Sequence, residues 1–230
     1  MTETFGALVP GVSPIVVRLL LQGIGITVLT TVLSALLAGI VAFGVGLARL
    51  SPIRVVRVVA AAYVEFFRGT SALVQLYWGF FILPYIGIPL SPMLVGIGVL
   101  GCNAGAYGSE IVRGAILAVP RGQWEAASAL SLSPPLRMFK VILPQALPTM
   151  MPSFGNLAID VMKATSLLSL ITVTDLTRVV SRLAVIGSWS FSLGYSVILV
   201  GYFCLSLPLI FATRLVERRS RQHMPEVTRP

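Results

Sequence analysis

The chain has 230 residues, of which 56% are hydrophobic and 11% charged, with a mean hydropathy of +0.92. A soluble domain carries about 25% charged residues, so this chain has too few polar groups to cover a water-facing surface, and its long apolar runs suit a bilayer. The formal net charge of +9 does not point to nucleic acid, because no basic stripe is interleaved with exposed aromatics and the cations gather in loops between apolar spans.

Residues 1–14 carry no basic segment ahead of the first long apolar run, so that run reads as a retained span and not a cleaved signal. A span needs ~20 apolar residues at 1.5 Å rise each. Five segments meet this, at about 19–47, 58–83, 93–117, 152–172 and 189–215. They predict an all-α membrane protein, one transmembrane domain over 1–230, with a charged, proline-ended and frayed tail at 217–230.

Counting Lys and Arg sets the orientation. With the N-terminus outside, the inner segments hold Arg49, Arg54, Arg57, Arg113, Arg121, Arg137, Lys140, Arg214, Arg218, Arg219, Arg221 and Arg229. The outer segments hold Arg18, Arg178 and Arg182. That imbalance predicts N-terminus out and C-terminus in.

In the second span Glu65 and Arg68 are spaced i, i+3 and can pair; Arg68 either helps to line a pathway or braces the bundle, and bracing is favoured. The third span opens on Gly96-Ile97-Gly98-Val99-Leu100-Gly101, which satisfies GxGxxG. No strand precedes it and no acidic residue follows at the required distance, so a dinucleotide site is excluded. Gly101, Gly105 and Gly108 instead suit close helix–helix approach. Asn103, Tyr107 and Glu110 form a polar stripe, and Glu110 with Arg113 reads as a structural ion pair near the inner end.

Residues 118–148 break the apolar pattern on the inner side. Pro120 opens a short helix, Glu125 suits its N-terminal dipole, and Trp124, Ala127 and Leu130 or Ser131 share one side. Pro134 and Pro135 are expected to stop it. In the fourth span Asn156, Asp160 and Lys163 lie at i, i+4, i+7 on one face. A charge at membrane depth faces a bundle interior or a wet cavity. Asp160 either neutralises Lys163 or meets a solute's cationic group, with Lys163 balancing charge or meeting a carboxylate.

Other chemistries find no support. Cys102 and Cys204 lie inside apolar spans without CxxC spacing and read as inert. His223, in the tail, is the single histidine, so there is no buried Ser/His pair or metal site and no catalytic residue. Neither Lys140 nor Lys163 follows a glycine, which excludes a phosphate-binding GxxxxGK[ST] loop. No inverted repeat, as in many secondary transporters, is visible, which leaves a secondary transporter or channel subunit as the remote alternative.

Glu125-Ala126-Ala127, followed by Ile142-Leu143-Pro144, resembles the EAA loop of ABC importer permeases. The segments 65–70, 106–123, 152–156 and 163–168 are similar to the polar amino-acid uptake permeases (histidine, glutamine or arginine type). The resemblance implies a type I ABC importer permease (MetI-like) fold in the bacterial inner membrane. It also implies a second permease, identical or paralogous, two cytoplasmic ATPase subunits and an extracytoplasmic solute-binding protein. No cofactor is expected in this chain, ATP and Mg being bound by the partner ATPase. Trp124, Glu125, Ala126, Ala127, Leu130 and Ser131 would form the coupling helix that docks on the ATPase. The family has Gly where this chain has Ser131, Pro where it has Ser71, and often Asp where it has Ala164. With Ala72-Leu73-Val74-Gln75, the last two departures are most similar to the ectoine/hydroxyectoine branch.

Overall fold

A computed structural model of the chain describes residues 13–222, and among these every regular element is a helix. Helix α1 (Pro14–Ala48) runs for 35 residues. The middle of its buried face is polar: Thr27, Thr30 and Thr31 donate to the carbonyls of Gly23, Ile26 and Thr27, at 3.0, 2.8 and 2.7 Å. Bonding back to its own backbone is how a hydroxyl is satisfied inside a helix bundle. Its outward face between Gly25 and Gly44 carries Val28, Leu29, Val32, Leu33, Leu36 and Ile40.

The expected span 58–83 is not one helix. Helix α2 (Arg54–Gly69) ends at its glycine, and α3 (Ala72–Tyr77) starts after Ser71. Gln75 is buried and donates to Thr70 Oγ1 at 2.6 Å, so the break is held by a side chain that the apolar pattern passes over. Ser71 has φ −68°, the angle a proline would impose, so serine keeps the backbone course there. A π-helical turn (Trp78–Ile82) and a 3-10 turn (Leu83–Ile86) follow. Helix α4 (Pro92–Leu117) matches the third expected span.

Helix α5 (Arg121–Ala129) is the short element predicted near Pro120. Pro134 and Pro135 do not stop it, a correction to the sequence reading. The chain turns at Ser131, which holds a left-handed φ of 53°, and the two prolines occupy the first turn of α6 (Pro134–Arg137), where a missing N–H costs nothing. A π turn (Met138–Ile142) leads into α7 (Leu143–Ala164), which starts nine residues before the expected 152 and carries Pro148 and Pro152 inside it. A 3-10 segment (Thr165–Ile171), α8 (Leu176–Val185) and α9 (Phe191–Gln222) complete the chain. Residues 217–222 continue α9, where fraying was expected, and 223–230, with His223 and Arg229, lie outside the described residues. Among the described residues three stretches are long and apolar enough to cross a membrane: Pro14–Ala48, Pro134–Ile171 and Phe191–Val216.

Contacts divide the chain into two compact units. The first takes the described part of Met1–Leu36 with Thr70–Gly101 and Asp160–Leu207. One of its cores gathers Leu76, Val95, Leu100, Leu168 and Ile171, and another gathers Val16, Leu176, Val180 and Leu183. Asp175, fully buried, caps α8 by accepting from the Arg178 N–H at 2.9 Å and from the Tyr202 hydroxyl at 3.1 Å. Burial pushes its carboxyl up from the ordinary range, against those hydrogen bonds.

The second unit takes Leu37–Gly69, Cys102–Ile159 and the described part of Pro208–Pro230. Its core is Ala42, Val112, Ala115, Ile116, Ile142, Ala146 and Met150. Glycines permit close approach here, as read for Gly105 and Gly108. A Cβ at Gly105 would lie 2.6 Å from Val41, one at Gly108 2.7 Å from Ala42, and one at Gly46 2.8 Å from Val112. Among the described residues, 12 of the 16 Lys and Arg fall in this unit's segments and four in the first unit's.

Candidate functional site

Helix α7 presents the first candidate surface. Between Gln145 and Lys163 its exposed side chains are Gln145, Thr149, Ser153, Asn156, Asp160 and Lys163, all polar. Steps of three and four residues keep them on one face over 18 residues, about 27 Å of helix. The opposite face buries Ala146, Met150, Val161 and Met162. Asp160 and Lys163 pair at 3.8 Å with 72% and 62% of their side chains exposed. The expected Asn156–Asp160–Lys163 face is therefore present and points outward. Gln145, Thr149 and Ser153 were missed because neutral polar residues read as interruptions of a span; continuing the i, i+4 step backward from Asn156 finds them.

The second candidate surface is α5. Trp124 is half-buried against the core, with the Arg137 guanidinium over its ring at 5.5 Å. Ala127 is 2% exposed. These two face inward, which corrects the reading that places Ala127 on a docking face. Glu125, Ala126, Leu130 and Ser131 are exposed, Leu130 by 74%. Leu130 does not continue the Trp124–Ala127 side because the helix ends at Ala129 and Ser131 redirects the chain. Gln145, at the foot of the α7 stripe, donates to Gln123 of α5 at 3.1 Å.

The third is a cluster around Glu110 on α4. Arg49 bonds one carboxylate oxygen, and Arg113 bonds the other at 3.0 Å. Arg68 stands 3.6 Å from the first oxygen and lies over the Tyr107 ring at 5.4 Å. The expected Glu110–Arg113 pair is present. Arg68 turns to Glu110 and not to Glu65, which is exposed, so the i, i+3 pair within α2 does not form. A partner 61 residues away in sequence, Arg49, leaves no periodic signal. Asn103 of the same α4 stripe donates to the Phe67 carbonyl at 3.0 Å, which makes it a helix tie. Cys102 is half-buried and Cys204 exposed, both free thiols. Among the described residues no three His, Cys, Asp or Glu side chains gather as a metal site would need.

The helical order, the short surface helix and the polar face of a long apolar chain define a membrane permease. Residues 35–222 match the family of binding-protein-dependent transport system inner membrane components, and the chain belongs to that family. It is 45% identical to a probable amino-acid ABC transporter permease protein, y4tF, of Sinorhizobium fredii, over 85% of this chain and 84% of that one. It is 41% identical to the L-cystine transport system permease protein TcyB of Bacillus subtilis, over 68% and 67%. Among solved structures, an amino acid ABC transporter crystallised with histidines aligns with TM-score 0.81 and 32% identity, over 88% of this chain and 94% of that one. The MetNI methionine ABC transporter aligns with TM-score 0.78 over 91% and 99%; at 22% identity that likeness speaks for the fold alone. The chain is the permease subunit of an amino-acid ABC importer, with the MetI-like type I fold.

Proposed function

We propose that this permease carries a polar amino acid, or an amino-acid-like zwitterion, along the outward polar face of α7. The observation that carries the reading is that stripe: six polar side chains from Gln145 to Lys163, in a chain whose other long helices expose Leu, Val, Ile and Phe. A polar face toward lipid is costly. The face is therefore covered by water and solute, and by a second permease, identical or paralogous, that completes the pathway. Asp160 meets the solute's cationic group, and Lys163 its carboxylate. The narrower ectoine/hydroxyectoine reading rests on Ser71 and Ala164. Relatives named for cystine and for glutamine transport support an ordinary amino acid at least as well.

In this reading the chain crosses the inner membrane five times, N-terminus out and C-terminus in. The concentration of Lys and Arg in the second unit supports that orientation. A separate pair of ATPase subunits, holding ATP and Mg, docks on Glu125 and Ala126 of α5 and on Leu130 just after it, all exposed. An extracytoplasmic solute-binding protein delivers the solute.

Cysteine labelling in a background lacking Cys102 and Cys204 tests the stripe. Cysteines at Thr149, Ser153 and Asn156 should react with a water-soluble, membrane-impermeant thiol reagent in the assembled importer, and cysteines at Leu36 and Ile40 should not. Equal protection of both sets would overturn the pathway. A cysteine at Ser188 should be labelled from outside and one at Ser133 only after permeabilisation. Mass spectrometry of solute retained by the purified complex identifies the cargo.

A further inference from the structure

We infer that Arg49, Arg68 and Arg113 form, around Glu110, a site for one additional oxyanion. The bookkeeping of charge is the first observation. Three guanidinium groups surround one carboxylate, leaving the cluster at net +2, and among the described residues no other Asp or Glu stands within ion-pair distance of any of the three. Uncompensated positive charge is costly away from bulk water. The cover is uneven, Arg49 being 16% exposed, Arg113 35% and Arg68 42%, so the cost falls mainly on Arg49.

Geometry is the second observation, and it distinguishes the three arginines. Arg49 and Arg113 each take one oxygen of Glu110. Arg68 arrives at 3.6 Å, too far for a hydrogen bond, so its ion pair uses none of its donors. Its guanidinium carbon stands over the Tyr107 ring at 5.4 Å, and the side chain is 42% exposed. A planar fork held in place with unused N–H donors is the arrangement that takes a carboxylate or phosphate through two parallel bonds. Glu110 holds the two flanking cations, Tyr107 lies beneath the third, and the additional oxyanion enters from the exposed side. This inference does not depend on the role proposed for α7.

Carboxylate and phosphate share the oxyanion chemistry, and the sources are a carboxylate solute, free phosphate or the headgroup of an anionic lipid. The test is thermal unfolding of the assembled importer with acetate, with inorganic phosphate, and in nanodiscs of phosphatidylglycerol against phosphatidylcholine. The first two arms are compared with chloride at equal ionic strength. The readout is the difference between wild type and Arg68→Gln, which cancels oxyanion binding elsewhere in the complex. A site filled at about fivefold its Kd should raise the wild-type midpoint by roughly 2–4 °C, and Arg68→Gln should lose that rise. Glu110→Gln, which leaves the cluster at +3, should enlarge it, and Arg68→Lys should keep part of it. A shift with acetate names a carboxylate source, and one with phosphate or phosphatidylglycerol alone names a phosphate source. Equal shifts in wild type and Arg68→Gln would overturn the inference, as would no shift in any arm.

Discussion

Helices α1 and α7 bury opposite chemistries. Helix α1 hides Thr27, Thr30, Thr31 and Ser34 and shows Val28, Val32, Leu36 and Ile40. Helix α7 hides Ala146, Met150, Val161 and Met162 and shows Thr149, Ser153, Asn156, Asp160 and Lys163. Both are long, helical and mostly apolar, so composition alone gives them the same role. What separates them is the chemistry of the face each one shows. The threonine hydroxyls of α1 are satisfied inward by its own carbonyls, while Ser34 Oγ is buried without a hydrogen-bond partner. In the proposed pathway the outside of α1 meets hydrocarbon and the outside of α7 meets water, solute or protein.

A charge should be rejected by one of these faces and tolerated by the other. Leu36→Asp should cost about 2.5–3.5 kcal/mol on insertion scales, lowering the insertion equilibrium constant about a hundredfold, and should reduce the membrane-integrated fraction measured by carbonate extraction. Ser153→Asp should insert like wild type; equal loss for both would erase the distinction.

Within α1 itself, two glycines two residues apart should behave oppositely. A methyl at Gly46 meets Val112 at 2.8 Å, whereas Gly44 has nothing within 4 Å. Gly46→Ala should destabilise by about 1–3 kcal/mol through overpacking. Gly44→Ala should be neutral or gain up to about 1 kcal/mol from helix propensity. Thermal midpoints of the two variants decide it.

Asp160→Asn sharpens the α7 side of the comparison. If Asp160 meets the solute, the variant should assemble normally and import about tenfold less, roughly 1.4 kcal/mol of lost interaction. The double variant with Lys163→Gln should stay low. Wild-type uptake by the double variant would reduce the 3.8 Å pair to mutual neutralisation.

The smallest effect is expected away from both faces. Ser131 holds a φ of 53°, where glycine sits more easily. Ser131→Gly should therefore stabilise the turn after α5 by about 0.5 kcal/mol, read as a slightly higher unfolding midpoint with transport unchanged. A lower midpoint would mean that the serine side chain contributes more than its backbone angle costs.

Much of this was legible in the residues. The apolar runs located α1, α4 and α9, and the i, i+4, i+7 spacing placed Asn156, Asp160 and Lys163 together. Features set by tertiary contact were not legible. Gly69 and Ser71 interrupt the second span without interrupting its hydropathy, and the hydrogen bond from Gln75 to Thr70 is visible only in the fold. Pro134 and Pro135 carry the same local signal whether they end one helix or begin the next; the left-handed turn at Ser131 decides between them. Ala127 looked available to a partner because small residues give no sign of which side they pack on. Arg68 had a local candidate in Glu65 and a distant one in Glu110, and the distant carboxylate already held two other arginines.

Pro148 and Pro152 give α7 a direction of weakness. Neither has an N–H, so the carbonyls of Pro144 and Pro148 have no amide four residues on, and two successive rungs of the ladder are missing on the same side of the rod. Such a rod is stiff across one plane and compliant in the other, bending away from the proline rings. The compliant stretch lies between Gln145, which touches the short surface helix through Gln123, and the charged pair farther along at Asp160 and Lys163.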